Sequence, residues 1–368
     1  MVDYIVGGKA ATNSNVLGID IELGLESIDR NRWLIDNLLL IPKHEAWLRR
    51  DVSARRSAGT TAIENVGMEE LEVSELQRKG TPSNPTEAEQ ANVNALRAYE
   101  FIDYLSDQHD VPIDELAIRQ MNREFLYGAA APLTPGVYRK GQNLIGGFTP
   151  PDQGDVPDLM RSFALWLRQE DDVHPVLRAG LAHLHFVAIH PFWDCNGRTA
   201  RGLTTLILQR SPSHFKKLLS LEQHLAGIRE GYISAIERAL GPRFSLNYDA
   251  TSWLEFFVEQ VEVASNLLTG EMTDWHRMMQ EMHDDFAELG PNTRQTDGLA
   301  YAMRTGKVTR GEYVEITGVA PLTASRDLSK LVEHGLLRPE GKTRSRVYYF
   351  QRPAATQADS AAQPLLIP

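Results

Sequence analysis

The chain has 368 residues, 42% of them hydrophobic and 24% charged, and a net charge of -11 at pH 7. That length suits about two domains and a substantial core, while the acidic balance, with a pI near 5.5, argues against affinity for nucleic acid or membrane across the whole surface. Cys195 is the single cysteine, so no intramolecular disulfide can form and a reducing, cytoplasmic setting is expected. No signal peptide and no membrane span are expected either, because the most apolar early stretch, 33–41, is short and is closed by Pro42.

Residues 1–24 have mixed polarity and no period, and read as an arm or loose cap. Apolar spacing predicts helix over 28–50 with an interruption at Pro42, then a helix holding 60–65 that 70–77 extends. Gly80, Pro82 and Pro85 mark a linker around 79–84. Amphipathic helix returns over 86–105, with Ala91, Val93, Leu96, Tyr99 and Ile102 on its apolar side, and further helices are expected over 113–126, 157–169 and 175–189. Between the first two of these, 134–151 reads TPGVYRKGQNLIGGFTPP, short apolar stretches around a turn-prone Lys140-Gly141-Gln142-Asn143, which predicts a β-hairpin. Helical spacing resumes over 199–208, and 214–240 and 251–268 read as closing helices.

The C-terminal part looks like a separate module. A helix over 297–304, a second opened by Val308-Thr309, a turn at Thr317-Gly318, a third helix over 323–333 and a hairpin over 336–349 resemble a winged helix-turn-helix. Nine basic residues face five acidic ones over 304–350, against the sign of the whole chain. Arg326 and Lys330 lie four apart on the third helix, and Lys342, Arg344 and Arg346 alternate on the wing, as phosphate contacts require. A solvated basic face on a protein-contact or homodimer module accounts for the same pattern, so DNA and protein partners both stay open. The expected domains are 1–85, 86–285 and 290–350, with 351–368 as a disordered tail.

Most of the chemistry concentrates in twelve residues, His190 to Arg201, HPFWDCNGRTAR. They fall between two helical patterns, so the second half of the string opens a helix. There the backbone N–H groups lack intrahelical acceptors and the macrodipole is positive, a ready site for a polyphosphate at Asn196, Gly197 and Arg198. Arg198 and Arg201, three apart, share a helix face, and their forked guanidinium groups suit phosphate oxygens. His190 offers a base, and Asp194 a single carboxylate of the kind that Mg2+ uses while keeping its waters and taking phosphate ligands. The neighbouring His183 and His185 point to different helix faces without metal-ligand spacing, and His183 reads as a packing residue.

This string resembles the signature of the Fic family, H-x-F-x-(D/E)-G-N-G-R-x-x-R. Seven of its eight defined positions match, and Cys195 stands where the family usually has glycine. The resemblance, which spans roughly 27–268, implies an all-α, Fic-type helical core, and nucleotidyl transfer that most often moves AMP from ATP to a Ser, Thr or Tyr hydroxyl of a target protein. It makes His190 the general base, Asp194 the Mg2+ ligand, and Phe192 the buried anchor of the loop. Cys195, Asn196, Gly197, Arg198, Thr199, Ala200 and Arg201 become the nucleotide-binding turn, with UMP or GMP transfer left open because base selection lies outside the signature. Tyr232 sits at a position like that of a tyrosine near the nucleotide base, though the residue alone reads as core.

Two further elements follow from the resemblance. Thr60 to Asn65, TTAIEN, is similar to the inhibitory motif (S/T)-x-x-x-E-(G/N), with Thr60, Glu64 and Asn65 at its defined positions. It implies that Glu64 pairs with Arg201 and denies it to the γ-phosphate, and in some relatives the same glutamate supports removal of AMP. The 134–151 hairpin is similar to the Fic flap, in which Ile145 would press the target side chain towards His190. At Cys195 a side chain would strain the turn if the position needs positive φ, and a thiol at a helix N-terminus is expected to have a lowered pKa. The competing expectation is a DNA-binding regulator whose Fic domain senses nucleotide without transferring it.

Overall fold

The computed structural model describes residues 5–6, 9–10, 18–38, 40, 42–128, 134–143, 145–169, 173–286, 292–342 and 346–351. The expected tail at 351–368 and the wing residue Arg344 fall outside this set, Gln351 apart. Contacts divide the chain into two compact units, Met1–Leu39 with Leu48–Gly270, and Leu40–Trp47 with Glu271–Pro368.

Where the sequence suggested a loose arm, the first unit holds two short antiparallel strands, Ile5–Val6 (β1) and Lys9–Ala10 (β2), and a helix α1, Ile19–Asn37. Ile21, Leu25 and Ile28 are buried, so the apolar period begins well before residue 28. Pro42 opens α2, Pro42–Ile63, as a first-turn proline lacking only a donor that no helix would use. α3 (Glu70–Lys79) and α4 (Glu87–Asp107) follow, the second started by a capping box in which Thr86 Oγ1 accepts from Glu89 N and Thr86 N donates to the Glu89 carboxylate. α5 spans Glu115–Phe125 and α6 Val156–Leu167.

At the centre lie α7, Pro175–Ile189, and α8, Asn196–Arg210, packed along each other and buried on almost every side, with α4 and α5 against α8. The single closing helix expected over 214–240 is instead a 3-10 turn at Phe215–Lys217, α9 (Leu221–Gly227) and α10 (Arg229–Leu240). The break comes from three consecutive left-handed residues, Phe215, Lys216 and Lys217. Buried Arg56 on α2 stabilises them by donating to the carbonyls of Lys217 (2.8 Å) and Leu219 (2.9 Å). α11, Thr251–Phe286, runs beyond the expected end, and its Trp253 Nε1 donates to the Gly180 carbonyl of α7 at 2.7 Å.

In the second unit the order is α12 (Thr293–Thr305), β3 (Lys307–Thr309), α13 (Arg310–Thr317), α14 (Pro321–Glu333), β4 (Leu337–Glu340) and β5 (Val347–Phe350). β5 lies between β3 and β4, antiparallel to both. Val308 and Thr309, expected only to open a helix, therefore lie in an edge strand, and Thr309 ends it by capping α13 through a box with Glu312. Leu299, Tyr313, Leu328, Leu331 and Leu336 fill the core of this unit.

Candidate active site

His190 terminates α7 in a left-handed conformation, φ 48° and ψ 60°, while its N–H still donates to the Phe186 carbonyl at 3.0 Å. A non-glycine residue pays for that geometry, so the surroundings must over-determine it. Phe192 is fully buried against Phe186 and Tyr138. Asn196 then closes the loop on itself: its Oδ1 accepts from Phe192 N at 2.9 Å and its Nδ2 donates to the Phe192 carbonyl at 2.8 Å. The Asn196 side chain is thus a brace, and only its backbone N–H is left for an anion. Asn122, on α5, supports the same turn by donating to the Asp194 carbonyl at 3.0 Å.

Cys195 precedes α8 with φ 61° and ψ 20°, the left-handed conformation that explains the usual glycine. Its thiol is buried and is pushed up to about 12, burial and the Asp194 carboxylate outweighing Arg198 and Arg201. The expectation of a lowered thiol pKa is therefore wrong for this residue, because the side chain points into the core and not along the helix dipole towards solvent. The first backbone bond of α8 runs from Thr199 N to the Cys195 carbonyl, so helix geometry leaves the N–H groups of Asn196, Gly197 and Arg198 without intrahelical acceptors. Thr199 and Ala200 are completely buried. Among the expected nucleotide contacts, these two face the core.

The space over that helix start is taken by Glu64. A Cβ at Gly197 would lie 2.5 Å from Glu64 Oε1, so the carboxylate rests directly on the glycine. The same oxygen accepts from Arg201 Nη2 at 2.7 Å. Glu64 lies just past the end of α2, not within a helix, and Asn65 follows in the left-handed region that asparagine tolerates. Arg229 fixes this turn by donating to the Ile63 carbonyl at 2.5 Å, a contact for which the sequence carried no signal. Burial opposes ionisation of Glu64, but Arg201, Arg198 and Arg229 together hold its carboxyl below the usual range.

Arg201 is 3% exposed. Its Nε donates to Thr60 Oγ1 at 2.8 Å and its Nη2 to the Thr60 carbonyl at 3.1 Å, so the first and fifth positions of TTAIEN both grip this guanidinium. Behind Thr60 a hydrogen bond leads to Tyr99, whose hydroxyl donates to the buried Glu222 at 2.9 Å. Tyr232 is buried too, its hydroxyl 3.4 Å from Arg201 Nη1 and 2.9 Å from His183 Nε2. It is a core residue in contact with Arg201. His183 bonds Thr204 through its other nitrogen, as a packing residue does.

Burial pushes the His190 imidazole down to about 4, with the Arg139 charge acting in the same direction and the Val187 carbonyl and Glu64 against it. The ring is neutral at pH 7, as a base must be. Asp194 is 47% exposed, its Oδ1 accepting from Cys195 N at 2.5 Å and lying 3.7 Å from Arg198 Nη2. One half-exposed carboxylate fits Mg2+ only as the single protein anchor of an ion that also takes phosphate oxygens and water. No group of three or more candidate ligands exists among the described residues. Among the described residues the predicted hairpin keeps one bridge of its own, Ile145 with Phe148, while Tyr138 pairs with Phe192 of the signature loop and Thr149 with Arg243. Ile145 itself is half-buried.

Residues 112–208 match the Fic/DOC family model. The protein adenylyltransferase Fic of Drosophila virilis is 43% identical over 96 residues, 26% of this chain and 20% of that protein; its Drosophila ananassae counterpart is equally similar over 19% of its length. The chain thus spans about a fifth of the length of these curated relatives. A Fic family protein from Desulfovibrio desulfuricans G20 superposes with a TM-score of 0.60 over 91% of this chain and 97% of that one, at 20% identity. A Fic-1 fragment from C. elegans gives 0.57 over 69% and 73%, at 23% identity. With the fold and the signature loop in agreement with these matches, residues 112–208 of the chain form a Fic/DOC family domain.

Proposed function

We propose that the chain is a protein adenylyltransferase that moves AMP from ATP to a Ser, Thr or Tyr hydroxyl of a target protein and is restrained by its own Glu64. The observation that carries this reading is the Glu64 carboxylate seated on Gly197 and Arg201. An anion already occupies the ground that a helix N-terminus and a forked guanidinium offer to phosphate. In the reaction, the target hydroxyl oxygen bonds to the α-phosphorus of ATP, the bond from that phosphorus to the β-phosphate oxygen breaks, and pyrophosphate departs. His190 takes the hydroxyl proton, a role its neutral ring suits and one that typically contributes about 10²- to 10⁴-fold. Arg198, Arg201 and the first N–H groups of α8 stabilise the charge that collects on the phosphates. Asp194 would hold Mg2+, which supplies further charge neutralisation.

With Glu64 in place Arg201 is not available to a γ-phosphate, so transfer is slow until Glu64 withdraws. Glu64→Gly protein incubated with Mg2+ and ATP labelled at the α or the γ position tests the reading. Label retained from the α position alone supports it. No label from either favours the nucleotide-sensing regulator.

For the second unit we propose a winged helix-turn-helix, supported by the β3-β5-β4 sheet beside α13 and α14 and by exposed Arg326 and Lys330 on α14. Duplex DNA binding that weakens steeply between low and moderate salt supports a DNA partner. Salt-insensitive self-association points to a protein one.

A further inference from the structure

Arg139 carries a permanent charge into the protein interior, with 2% of its surface exposed. Burying a guanidinium is costly unless its donors are matched. Here they are matched by neutral oxygens: Nε donates to the His190 carbonyl at 2.9 Å, Nη1 to the Gly141 carbonyl at 3.0 Å and to Gln142 Oε1 at 3.3 Å, and Nη2 to the Pro151 carbonyl at 2.5 Å. Its backbone N–H adds a fifth bond, to the Pro191 carbonyl at 2.9 Å. Gln142 in turn donates to the Pro150 carbonyl at 2.8 Å.

These acceptors come from three separate places. Gly141 and Pro151 stand at the two ends of the segment that carries Ile145, and His190 is the left-handed residue that ends α7. One rigid fork therefore closes the base of that segment and holds the carbonyl of a residue whose backbone conformation is unfavourable on its own. A lysine, with its donors at a single point, cannot reach three divergent carbonyls. The anion-binding start of α8 is braced by other bonds, Asn196 to Phe192 and Asn122 to Asp194, in which Arg139 takes no part.

We propose that Arg139 is a positioning residue for transfer: it locks the backbone of His190 and registers the Ile145 segment against it, without contributing to nucleotide affinity. This rests on the adenylyltransferase reading above, in which His190 is the base. Misplacement of a base relative to its substrate lowers turnover steeply while leaving unrelated binding contacts intact.

The test uses the full chain carrying Glu64→Gly, alone and with Arg139→Lys or Arg139→Gln. Three quantities are read: the rate of label incorporation from α-labelled ATP at saturating ATP, the Kd for a non-hydrolysable ATP analogue with Mg2+, and amide hydrogen exchange in peptides covering 145–151 and 190–193. The expected result is a loss of transfer of at least tenfold in both variants, a Kd within twofold of the parent, and faster exchange in both peptides. Transfer unchanged, or transfer and ATP affinity falling together, overturns the proposal. If Arg139→Gln does not fold, Arg139→Lys decides alone. If the Glu64→Gly parent itself transfers no label, the adenylyltransferase reading has failed, and exchange at 190–193 then decides whether Arg139 holds that loop: unchanged exchange overturns the clasp as well.

Discussion

Replacing Glu64 with Gln keeps the size of the side chain and removes its charge, and the structure sets the scale of the effect. Arg201 Nη2 and Glu64 Oε1 are 2.7 Å apart, a charge-assisted hydrogen bond, with the arginine 3% and the glutamate 38% exposed. Hydrogen bonds to charged groups contribute about 1.5–3 kcal/mol, and a partner more than a third exposed brings that down to about 1–2 kcal/mol. In the proposed competition of nucleotide phosphate with Glu64 for this guanidinium, the Gln oxygen can still accept from Arg201 while the charge is lost, so that amount is the upper bound of the gain in affinity, up to roughly 30-fold tighter binding. Calorimetric titration of wild type and Glu64→Gln with a non-hydrolysable ATP analogue and Mg2+ measures it directly. A Kd within twofold of wild type refutes the competition. The sign of the pH dependence adds a control. The Glu64 carboxyl is held below its usual range, so the latch is fully formed at neutral pH and is lost only as pH falls through that lowered value. The wild-type Kd is accordingly flat between pH 6 and 8.

Three other outcomes follow from the geometry. His183 and His185 are fully buried and pushed down to about 3 from 6.5, so the unfolded chain binds more protons between those values, and stability falls as pH drops below 6.5 by up to about 1.4 kcal/mol per pH unit for each ring; urea midpoints that do not fall between pH 7 and 5 contradict this. Gly59→Ala puts a Cβ 2.5 Å from Gln223 N and 2.6 Å from the Glu222 carbonyl, backbone atoms that cannot give way. Overpacking of about 1–3 kcal/mol exceeds the gain of up to about 1 kcal/mol in helix propensity, so the melting temperature drops, and a rise rejects the close approach of α2 and α9. Cys195→Gly relieves a left-handed side chain and gives up a small buried one, terms of about 1 kcal/mol each with opposite sign. Stability and nucleotide affinity should both stay near wild type, and native Cys195 should resist alkylation until the chain is unfolded.

The signature loop was legible because its residues are adjacent in sequence and each expected role has its own side chain: an imidazole at 190, a carboxylate at 194, guanidinium groups at 198 and 201. The start of α4 was legible at Thr86, which its box with Glu89 marks, but the start of α12 was not, since the Asn292–Gln295 box opens it at Thr293, four residues before the expected 297. The early start of α1 was not, since its apolar residues share a stretch with exposed Ile19 and Leu23 that blurs the period. Nor was the break after α8, where the left-handed run at 215–217 depends on Arg56 from more than a hundred residues upstream. The same limit hid Arg139 and Arg229. Both act on backbone carbonyls of distant segments, and carbonyls leave no mark on a sequence. Asn196 was legible as a site residue but not as a brace, because its partner is the Phe192 backbone.

The central claim is that His190 drives transfer once Glu64 is removed from Arg201. The most direct measurement is the initial rate of label incorporation from α-labelled ATP into Glu64→Gly protein, run beside the double variant Glu64→Gly with His190→Ala. Rapid incorporation in the first and none in the second is the result predicted here. Equal incorporation in both, or none in either, contradicts it.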